Sequence, residues 1–252
     1  MKLIIVKDYG ELGKKAAGLV ADEVKSNPKV VLGLATGGTP VGMYRELIKL
    51  HQEEGIDFSQ ASSFNLDEYV GLGATHPQSY RAYMQENLFD HINLPAGNTH
   101  VPAGDAADLQ QECVSYEEAI RQAGGVDIQV LGIGNNGHIG FNEPGSSADS
   151  TTRVVQLTES TIEANARYFA SKVEVPTQAV SMGIKTILSA KKVVLLASGE
   201  AKAEAVRLML EGEPTADVPA SLLQHHPDVT VIVDEAAASQ LTVAAASSED
   251  KR

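Results

Sequence analysis

The chain contains 252 residues, and its 20 Lys and Arg residues against 33 Asp and Glu residues give a formal net charge of −13. This length allows one or two domains with a sizeable core, and a hydrophobic content of 43% argues against intrinsic disorder. The acidic balance argues against a surface for nucleic acid or anionic membranes, because neutralising phosphates requires clustered cations. The single cysteine, Cys113, excludes an internal disulfide and a cysteine-rich zinc site.

The N-terminal segment MKLIIVKDYG has four consecutive apolar residues before Lys7. This run is shorter than the apolar core of a signal peptide and far shorter than a membrane span. We therefore expect a cytoplasmic protein without a membrane partner.

Short β-branched or leucine-rich segments alternate with segments of helical spacing along the chain. The predicted strands are residues 3–6, 30–34, 62–66, 128–133, 179–182, 193–197 and 230–233. Between strands, apolar residues recur at helical intervals at Leu12, Ala16, Val20 and Val24, and again at Leu109, Cys113, Tyr116 and Ile120. Several strand segments lack polar alternation, which is typical of strands covered on both faces. This pattern predicts an α/β fold with a doubly wound, mainly parallel, Rossmann-like sheet of about seven strands and helices on both faces.

No internal repeat or low-complexity linker divides the chain, so residues 1–243 are predicted to form a single α/β domain. Residues 244–252 are small, polar and charged, and are predicted to form a frayed tail. Residues 141–152 follow a predicted strand but include Pro144, Gly145 and several Ser and Thr residues. They predict a long loop where a crossover helix would otherwise begin, and long loops in compact domains are often functional.

The sequence GLATGGTP at residues 33–40 follows the second predicted strand. Its glycines allow backbone N–H groups to approach an anion, and Pro40 suits the first turn of a helix whose N-terminal end is positive. The segment is either a phosphate or carboxylate cradle or a tight strand-to-helix turn, since both need these residues. It lacks the lysine of the nucleotide-binding P-loop, so it does not predict ATP binding.

The sequence FNLDEYV places Asp67 and Glu68 after the third predicted strand. In open α/β sheets the carboxyl ends of the strands border the ligand crevice, so either carboxylate is a candidate general base. Two adjacent acids at this position are also typical of solvated or helix-capping residues. Asp67 lies nearer the strand and is the better catalytic candidate.

The sequence GIGNNG at residues 132–137 matches the dinucleotide-binding pattern GxGxxG, but it leads to HIGFNEP rather than to a helix. We therefore favour a proton-transfer site around His138, whose imidazole titrates near neutral pH. Asn136 and Glu143 lie close in sequence and are suited to orient the ring. A histidine of a surface loop is the alternative.

Among the cations, Arg153, Arg167 and Lys202 stand out. Lys202, early in a helix after a predicted strand, is a candidate to meet an anionic ligand, although solvated lysines are commoner, and Arg167 could equally be a surface residue. His225 and His226 are adjacent and followed by a proline, so we predict no metal site. The glycine loop, the acid, the histidine and Lys202 all follow predicted strands, and we expect them to surround one ligand.

Five segments in order along the chain are similar to the glucosamine-6-phosphate deaminase family (glucosamine/galactosamine-6-phosphate isomerases): LGLATGGTP, FNLDEYVGL, GIGNNGHIGFNEPGS, SMGIKTIL and SGEAKAEA. The GHIGFNEPGS string is specific, whereas GGTP is shared with sugar-phosphate lactonases. The resemblance implies an aldose–ketose isomerase that converts glucosamine 6-phosphate to fructose 6-phosphate and ammonia in amino-sugar catabolism, without a metal or organic cofactor.

The resemblance also implies residue roles. His138 would move the proton that opens the sugar ring, oriented by Asn136 and Glu143, and Asp67 would carry a proton between carbons 2 and 1. The implied phosphate-binding residues are Thr36, Gly37, Gly38, Thr39, Arg167 and Lys202.

The chain departs from the family pattern at two places. Asn136 stands where some members carry aspartate, which leaves the division of proton transfer with Glu143 open. Regulated members have a basic patch just after Arg153 and a longer C-terminal segment, whereas here Val155 is uncharged. We expect activation by N-acetylglucosamine 6-phosphate to be weak or absent, and the oligomeric state stays open.

Two other functions fit part of the pattern. A 6-phosphogluconolactonase-like hydrolase would share the fold and the GGTP loop, although the FNEP sequence favours the deaminase. A non-catalytic sugar-phosphate sensor would need a DNA-binding module, and a first strand at residue 3 is expected to leave no room for one.

Overall fold

The computed structural model describes residues 1–242. The strands in this part of the chain are β1 (Lys2–Val6), β2 (Val31–Leu34), β3 (Ser62–Asn65), β4 (Asp67–Tyr69), β5 (Thr99–His100), β6 (Ile128–Leu131), β7 (Arg153–Gln156), β8 (Gln178–Ser181), β9 (Lys192–Ala197) and β10 (Val229–Asp234). The α-helices are α1 (Tyr9–Ser26), α2 (Val41–Glu54), α3 (Tyr80–Asn87), α4 (Leu109–Gln122), α5 (Glu159–Asn165), α6 (Ile184–Leu188) and α7 (Ala203–Glu211).

Seven strands form a parallel sheet in the order β1-β10-β9-β6-β2-β3-β5. Side chains alternate between its faces, so that along β9 Val193 and Leu195 join one core while Val194 and Leu196 join the other. The first core includes residues of α4, α6 and α7, and the second includes residues of α1, α2 and α3. The predicted doubly wound α/β fold is confirmed.

The strand order reverses direction between β2 and β6, which are neighbours in the sheet. From β2 the chain continues outward to β3 and β5, and from β6 it continues in the opposite direction to β9 and β10. Ligands of open α/β sheets bind at the carboxyl ends of strands at such a reversal. The loops after β2 and β6, residues 35–40 and 132–138, are therefore in the favoured position for a binding site.

A second sheet of three antiparallel strands, in the order β4-β8-β7, was not predicted. The prediction that residues 179–182 belong to the parallel sheet was wrong, because β8 is the central strand of this second sheet. Its residues 179–181 are buried, so the segment has the continuous apolar character of a parallel core strand. The seventh parallel strand is instead β5, whose two residues are too few to give a sequence pattern.

The helical periodicity of the sequence is reproduced in α1 and α4. In α1 the side chains of Leu12, Ala16, Val20 and Val24 are all buried, and Asp8 caps the helix by accepting the Glu11 N–H. In α4 Cys113, Tyr116 and Ile120 are buried, and Leu109, the first residue of the helix, is partly buried. The spacing of the apolar residues thus located the buried faces of both helices correctly.

The predicted loop at residues 141–152 contains no helix, and the chain reaches β7 without a helical crossover. None of the helices in residues 1–242 has the length and apolarity needed to cross a membrane. The predicted frayed tail at residues 244–252 lies outside the described residues.

Candidate active site

A cavity of about 970 Å³ lies at the carboxyl end of the parallel sheet. It is bordered by the loops after β2 and β6, by β4, and by a segment made of α5 and the turn that follows it, here called the α5 segment (residues 158–169). The predicted site residues that line it are Thr36, Gly37, Gly38, Thr39, Asp67, Asn136, His138, Glu143, Arg167 and Lys202. The structure therefore brings together all ten of them, from positions far apart in the sequence.

The glycine loop connects β2 to α2 along one wall of the cavity. Gly37 has a φ of +93°, a conformation that favours glycine, and Pro40 occupies the N-cap position of α2. Within residues 1–242, the N–H groups of Gly37, Gly38 and Thr39 donate no hydrogen bond. Unpaired N–H groups beside a helix N-terminus suit a phosphate or carboxylate group.

Asp67 is the first residue of β4, and its side chain lines the cavity although only 6% of the residue is exposed. Burial, followed by the negative charge of Glu68, raises the pKa of Asp67 to about 8. A carboxyl group with a pKa close to the working pH both accepts and returns a proton readily.

Glu68 has a different role from its neighbour. Its carboxylate accepts N–H groups of Tyr69 (2.9 Å), Tyr80 (2.9 Å) and Arg81 (3.0 Å), and the last two belong to the first turn of α3. The carboxylate thus binds unpaired donors at a helix N-terminus. Of the two adjacent acids, Glu68 caps a helix and Asp67 faces the cavity.

His138, Asn136 and Glu143 form a hydrogen-bonded chain. The Asn136 side-chain oxygen lies 2.7 Å from His138 Nδ1, and the Asn136 amide nitrogen donates to Glu143 Oε2 at 2.9 Å. Because an amide oxygen only accepts, Nδ1 carries the hydrogen and Nε2 of the neutral ring is left as the proton acceptor. Burial lowers the pKa of His138, Glu143 raises it and Lys202 lowers it, and the direction of the net shift is downward. The ring is thus kept neutral, as a base requires.

The backbone of Gly134 packs closely against the His138 imidazole. The sequence analysis did not single out this glycine. A Cβ atom at this position would lie 2.1 Å from both Cε1 and Nδ1 of His138. The GxG spacing at Gly132 and Gly134, which matches a dinucleotide motif, here leaves room for a histidine ring. Close packing of the ring on the backbone is the reason that a side chain is excluded at 134.

Lys202 and Arg167 contribute cations on two sides of the cavity. Lys202 ends the 3-10 turn Glu200–Lys202 directly before α7, and its ammonium donates to the Ile133 carbonyl at 2.7 Å. Burial lowers the pKa of Lys202. Arg167 lies in the turn Ala166–Tyr168 of the α5 segment, where its guanidinium donates to the Tyr168 hydroxyl at 2.6 Å and lies 4.7 Å from that ring's centroid.

Arg153, the third cation that the sequence singled out, does not line the cavity. Its guanidinium donates to the Asn142 side-chain oxygen at 2.8 Å. His226, one of the paired histidines, binds the Ala190 carbonyl at 2.6 Å through Nε2 and accepts the Asp228 N–H through Nδ1. Both of these side chains have structural partners outside the cavity.

An aromatic wall beside Asp67 was missed by the sequence analysis. Tyr69 and Tyr80 lie 4.6 Å apart between ring centroids, and Tyr80 stacks on Phe141 at 6.3 Å. Phe169 of the α5 segment contacts Tyr69 at 6.4 Å. Tyr69 lies two residues after Asp67 in β4 and so faces the same side, which is the signal that could have identified it.

We expect Asp67 to make stability depend on pH. The carboxyl group keeps its proton up to a pKa of about 8 in the folded state, whereas an aspartate exposed to water has an ordinary pKa of 3.8. The stabilising contribution is therefore complete below about pH 4 and is lost as the pH rises to about 8. The free energy of unfolding should fall between pH 5 and 8 by up to about 1.4 kcal/mol per pH unit more than in Asp67→Asn.

Urea unfolding at several pH values measures this difference directly. Asp22→Asn, at an exposed position of α1, serves as the control and should follow the unaltered chain. Parallel profiles for the unaltered chain and Asp67→Asn would contradict the raised pKa.

Comparison with known proteins points to one family. The sequence model of the family described as glucosamine-6-phosphate isomerases/6-phosphogluconolactonase matches residues 9–232. A curated relative from Clostridium perfringens (strain SM101 / Type A), named glucosamine-6-phosphate deaminase, is 54% identical over 241 residues, which cover 96% of this chain and 100% of the relative.

Two solved structures resemble this chain, one at high and one at low sequence identity. A structure described as a monomeric glucosamine-6-phosphate deaminase has a TM-score of 0.92 and 53% identity, and the match covers 95% of this chain and 99% of that one. A 6-phosphogluconolactonase from Trypanosoma cruzi has a TM-score of 0.76 and 22% identity over 96% of this chain and 97% of that one. The second likeness shows a shared fold.

Proposed function

We propose that this chain, which belongs to the glucosamine-6-phosphate isomerase/6-phosphogluconolactonase family, is a glucosamine-6-phosphate deaminase. It converts glucosamine 6-phosphate and water to fructose 6-phosphate and ammonia. The observation that carries the proposal is one cavity that holds a buried carboxyl group, an oriented neutral histidine and a loop whose N–H groups donate no hydrogen bond within residues 1–242. The 54% identity to a named deaminase over nearly the whole chain supports the same conclusion.

The first step is opening of the sugar ring, which we assign to His138. Its Nε2 accepts the proton of the C1 hydroxyl group and returns it to the ring oxygen, giving the open-chain aldehyde. The Asn136 oxygen and Glu143 hold the ring in the tautomer that this transfer requires. Each such proton relay contributes roughly 10²- to 10⁴-fold to the rate.

The second step is proton transfer between carbons, which we assign to Asp67. The carboxylate removes the proton from C2 as the C1 oxygen takes up a proton from solvent, giving an enolamine. Asp67 then returns its proton to C1 and the nitrogen releases a proton to solvent, giving an imine at C2. Water then adds to the imine, and ammonia leaves as the ketone forms. Side chains of this protein and water carry every proton in these steps, so the proposed reaction needs no metal or organic cofactor.

The phosphate group is assigned to residues 36–39 of the glycine loop (residues 35–40), with Lys202 and Arg167 beside it. The net charge of −13 opposes a dianion only weakly, because charges are screened over about 8 Å at physiological ionic strength. Nearby N–H groups and two cations therefore determine the local potential. Positioning of the phosphate also holds C1 and C2 near the acid and the histidine.

Replacing Lys202 with alanine is expected to raise KM for glucosamine 6-phosphate about 10- to 100-fold, with a much smaller change in kcat. A charge-assisted hydrogen bond to phosphate is worth about 1.5–3 kcal/mol, and its loss acts mainly on binding. Steady-state kinetics with the variant measure both constants. The control is Lys185→Ala, which changes a lysine of α6 that does not line the cavity.

The lactonase alternative is tested by incubating the protein separately with glucosamine 6-phosphate and with 6-phosphogluconolactone. Release of ammonia from the first without acid release from the second supports the deaminase, and the reverse result would replace it. Turnover of either substrate would also exclude a non-catalytic sensor.

We expect hyperbolic kinetics that N-acetylglucosamine 6-phosphate does not activate. Val155 in β7 offers no charge to an allosteric phosphate, and the similar deaminase structure is described as monomeric. Initial rates across a range of substrate concentrations, with and without N-acetylglucosamine 6-phosphate, test this expectation. A sigmoidal curve that the amino-sugar phosphate makes hyperbolic would contradict it.

A further inference from the structure

Three tyrosine hydroxyl groups donate hydrogen bonds to backbone carbonyl groups of the glycine loop. The pairs are Tyr44 with Ala35, Tyr83 with Gly37 at 2.5 Å, and Tyr9 with Gly38 at 2.7 Å. The tyrosines come from three different helices, α2, α3 and α1 respectively. Three of the seven tyrosines in the chain thus contact one short loop.

These contacts determine the direction of the loop's N–H groups. In a trans peptide the C=O of one residue and the N–H of the next lie in one plane and point in opposite directions. A hydrogen bond to the Gly37 carbonyl therefore turns the Gly38 N–H away from Tyr83, and a hydrogen bond to the Gly38 carbonyl turns the Thr39 N–H away from Tyr9. Neither N–H donates a hydrogen bond within the part of the chain that the structure describes.

All three tyrosine hydroxyl groups act as hydrogen-bond donors to the loop. Burial raises the pKa of Tyr44 and of Tyr83, so both phenols stay protonated across the physiological range. The Tyr9 oxygen also accepts the Gly42 N–H at 2.9 Å, which directs its own hydrogen toward Gly38.

We propose that Tyr9, Tyr44 and Tyr83 are positioning residues for the substrate phosphate, which act through their hydrogen bonds to the loop. A loop held in its binding conformation loses less conformational entropy when the phosphate arrives. The inference rests on the proposed function, because that function supplies the phosphate-bearing substrate.

The test uses tyrosine-to-phenylalanine changes, which keep the ring and remove only the hydroxyl group. Tyr83→Phe is expected to raise KM for glucosamine 6-phosphate about 3- to 10-fold, with kcat changed less than about 2-fold. The inhibition constant of inorganic phosphate should rise by a similar factor. Tyr9→Phe should act in the same direction but less strongly, since this side chain is more exposed, and the double variant should exceed either single change.

The matched control is Tyr116→Phe, which removes a buried hydroxyl that donates to the Asn65 carbonyl at 2.6 Å, outside the loop. It should leave phosphate inhibition unchanged even if it lowers the melting temperature. Glucosamine without a phosphate group provides the ligand control, and its weak inhibition should be equal in all variants. This pattern separates positioning of the phosphate from a general loss of structure.

Calorimetric binding of inorganic phosphate keeps the two proposals distinguishable. Unchanged phosphate affinity in Tyr83→Phe and in the double variant, with normal affinity in the unaltered chain, would overturn the role of the tyrosines. An equal rise in the inhibition constants of glucosamine and of inorganic phosphate would overturn it as well. Failure of the unaltered chain to release ammonia while it still binds phosphate would instead overturn the proposed function.

Discussion

Asp67→Asn is expected to lower kcat for ammonia release by about 10³- to 10⁴-fold, with KM changed little. Asparagine has nearly the same shape as aspartate, so the cavity should keep its form and still bind the sugar phosphate. It cannot accept the proton at C2, however, and the hydrogen of that carbon should no longer exchange with solvent. Uptake of deuterium from D₂O into the recovered substrate, followed by mass spectrometry, measures this step directly.

Glu68→Gln is the informative comparison for this variant. Glu68 is the neighbouring buried carboxylate, but it binds backbone N–H groups of α3 instead of facing the cavity. Its change should lower the melting temperature and leave exchange at C2 detectable. Exchange that persists in Asp67→Asn at the normal rate would remove Asp67 from its assigned role.

His138→Gln is expected to lower kcat/KM for glucosamine 6-phosphate by about 10²- to 10³-fold. Ring opening would then lack its proton acceptor, whereas the carboxyl group of Asp67 would be unaffected. The variant should therefore still exchange the C1 hydrogens of fructose 6-phosphate in the presence of ammonium, because this ketose opens spontaneously in water.

The pair of variants separates the two proton transfers. Asp67→Asn should lose exchange from both the aldose and the ketose, whereas His138→Gln should lose only turnover that starts from the closed ring. Equal loss of both exchange reactions in His138→Gln would contradict an assignment of His138 to ring opening alone.

The parallel sheet could be predicted because its strands and the helices around it leave patterns in short stretches of sequence. Residues such as Val193–Leu196 form an uninterrupted apolar run, and the intervals of four in α1 reproduce the period of a helix. The small antiparallel sheet could not be predicted in this way. The three residues of β4 show no period, and β8 is buried on both sides like a parallel strand.

The composition of the site could also be predicted, but its hydrogen bonds could not. The sequence places Asn136 and Glu143 near His138, yet only the fold reveals that the amide lies between the carboxylate and the ring. The sequence likewise favours Asp67 over Glu68 only by its position next to the strand, whereas the fold shows that Glu68 is bound to N–H groups of α3. The tyrosines of the loop come from three helices, and contacts between distant elements leave no mark in local spacing.

The closeness of the Gly134 backbone to the imidazole has a consequence for redesign of the pocket. Main-chain atoms, which are the same whatever the neighbouring side chains, fix where the ring rests. Substitutions in the aromatic wall should therefore be able to change the substrate preference, for example to admit a bulkier hexosamine, without changing the orientation of the His138 ring. An alanine at 134 would do the opposite, since its methyl group would displace the imidazole and leave the aromatic wall unchanged.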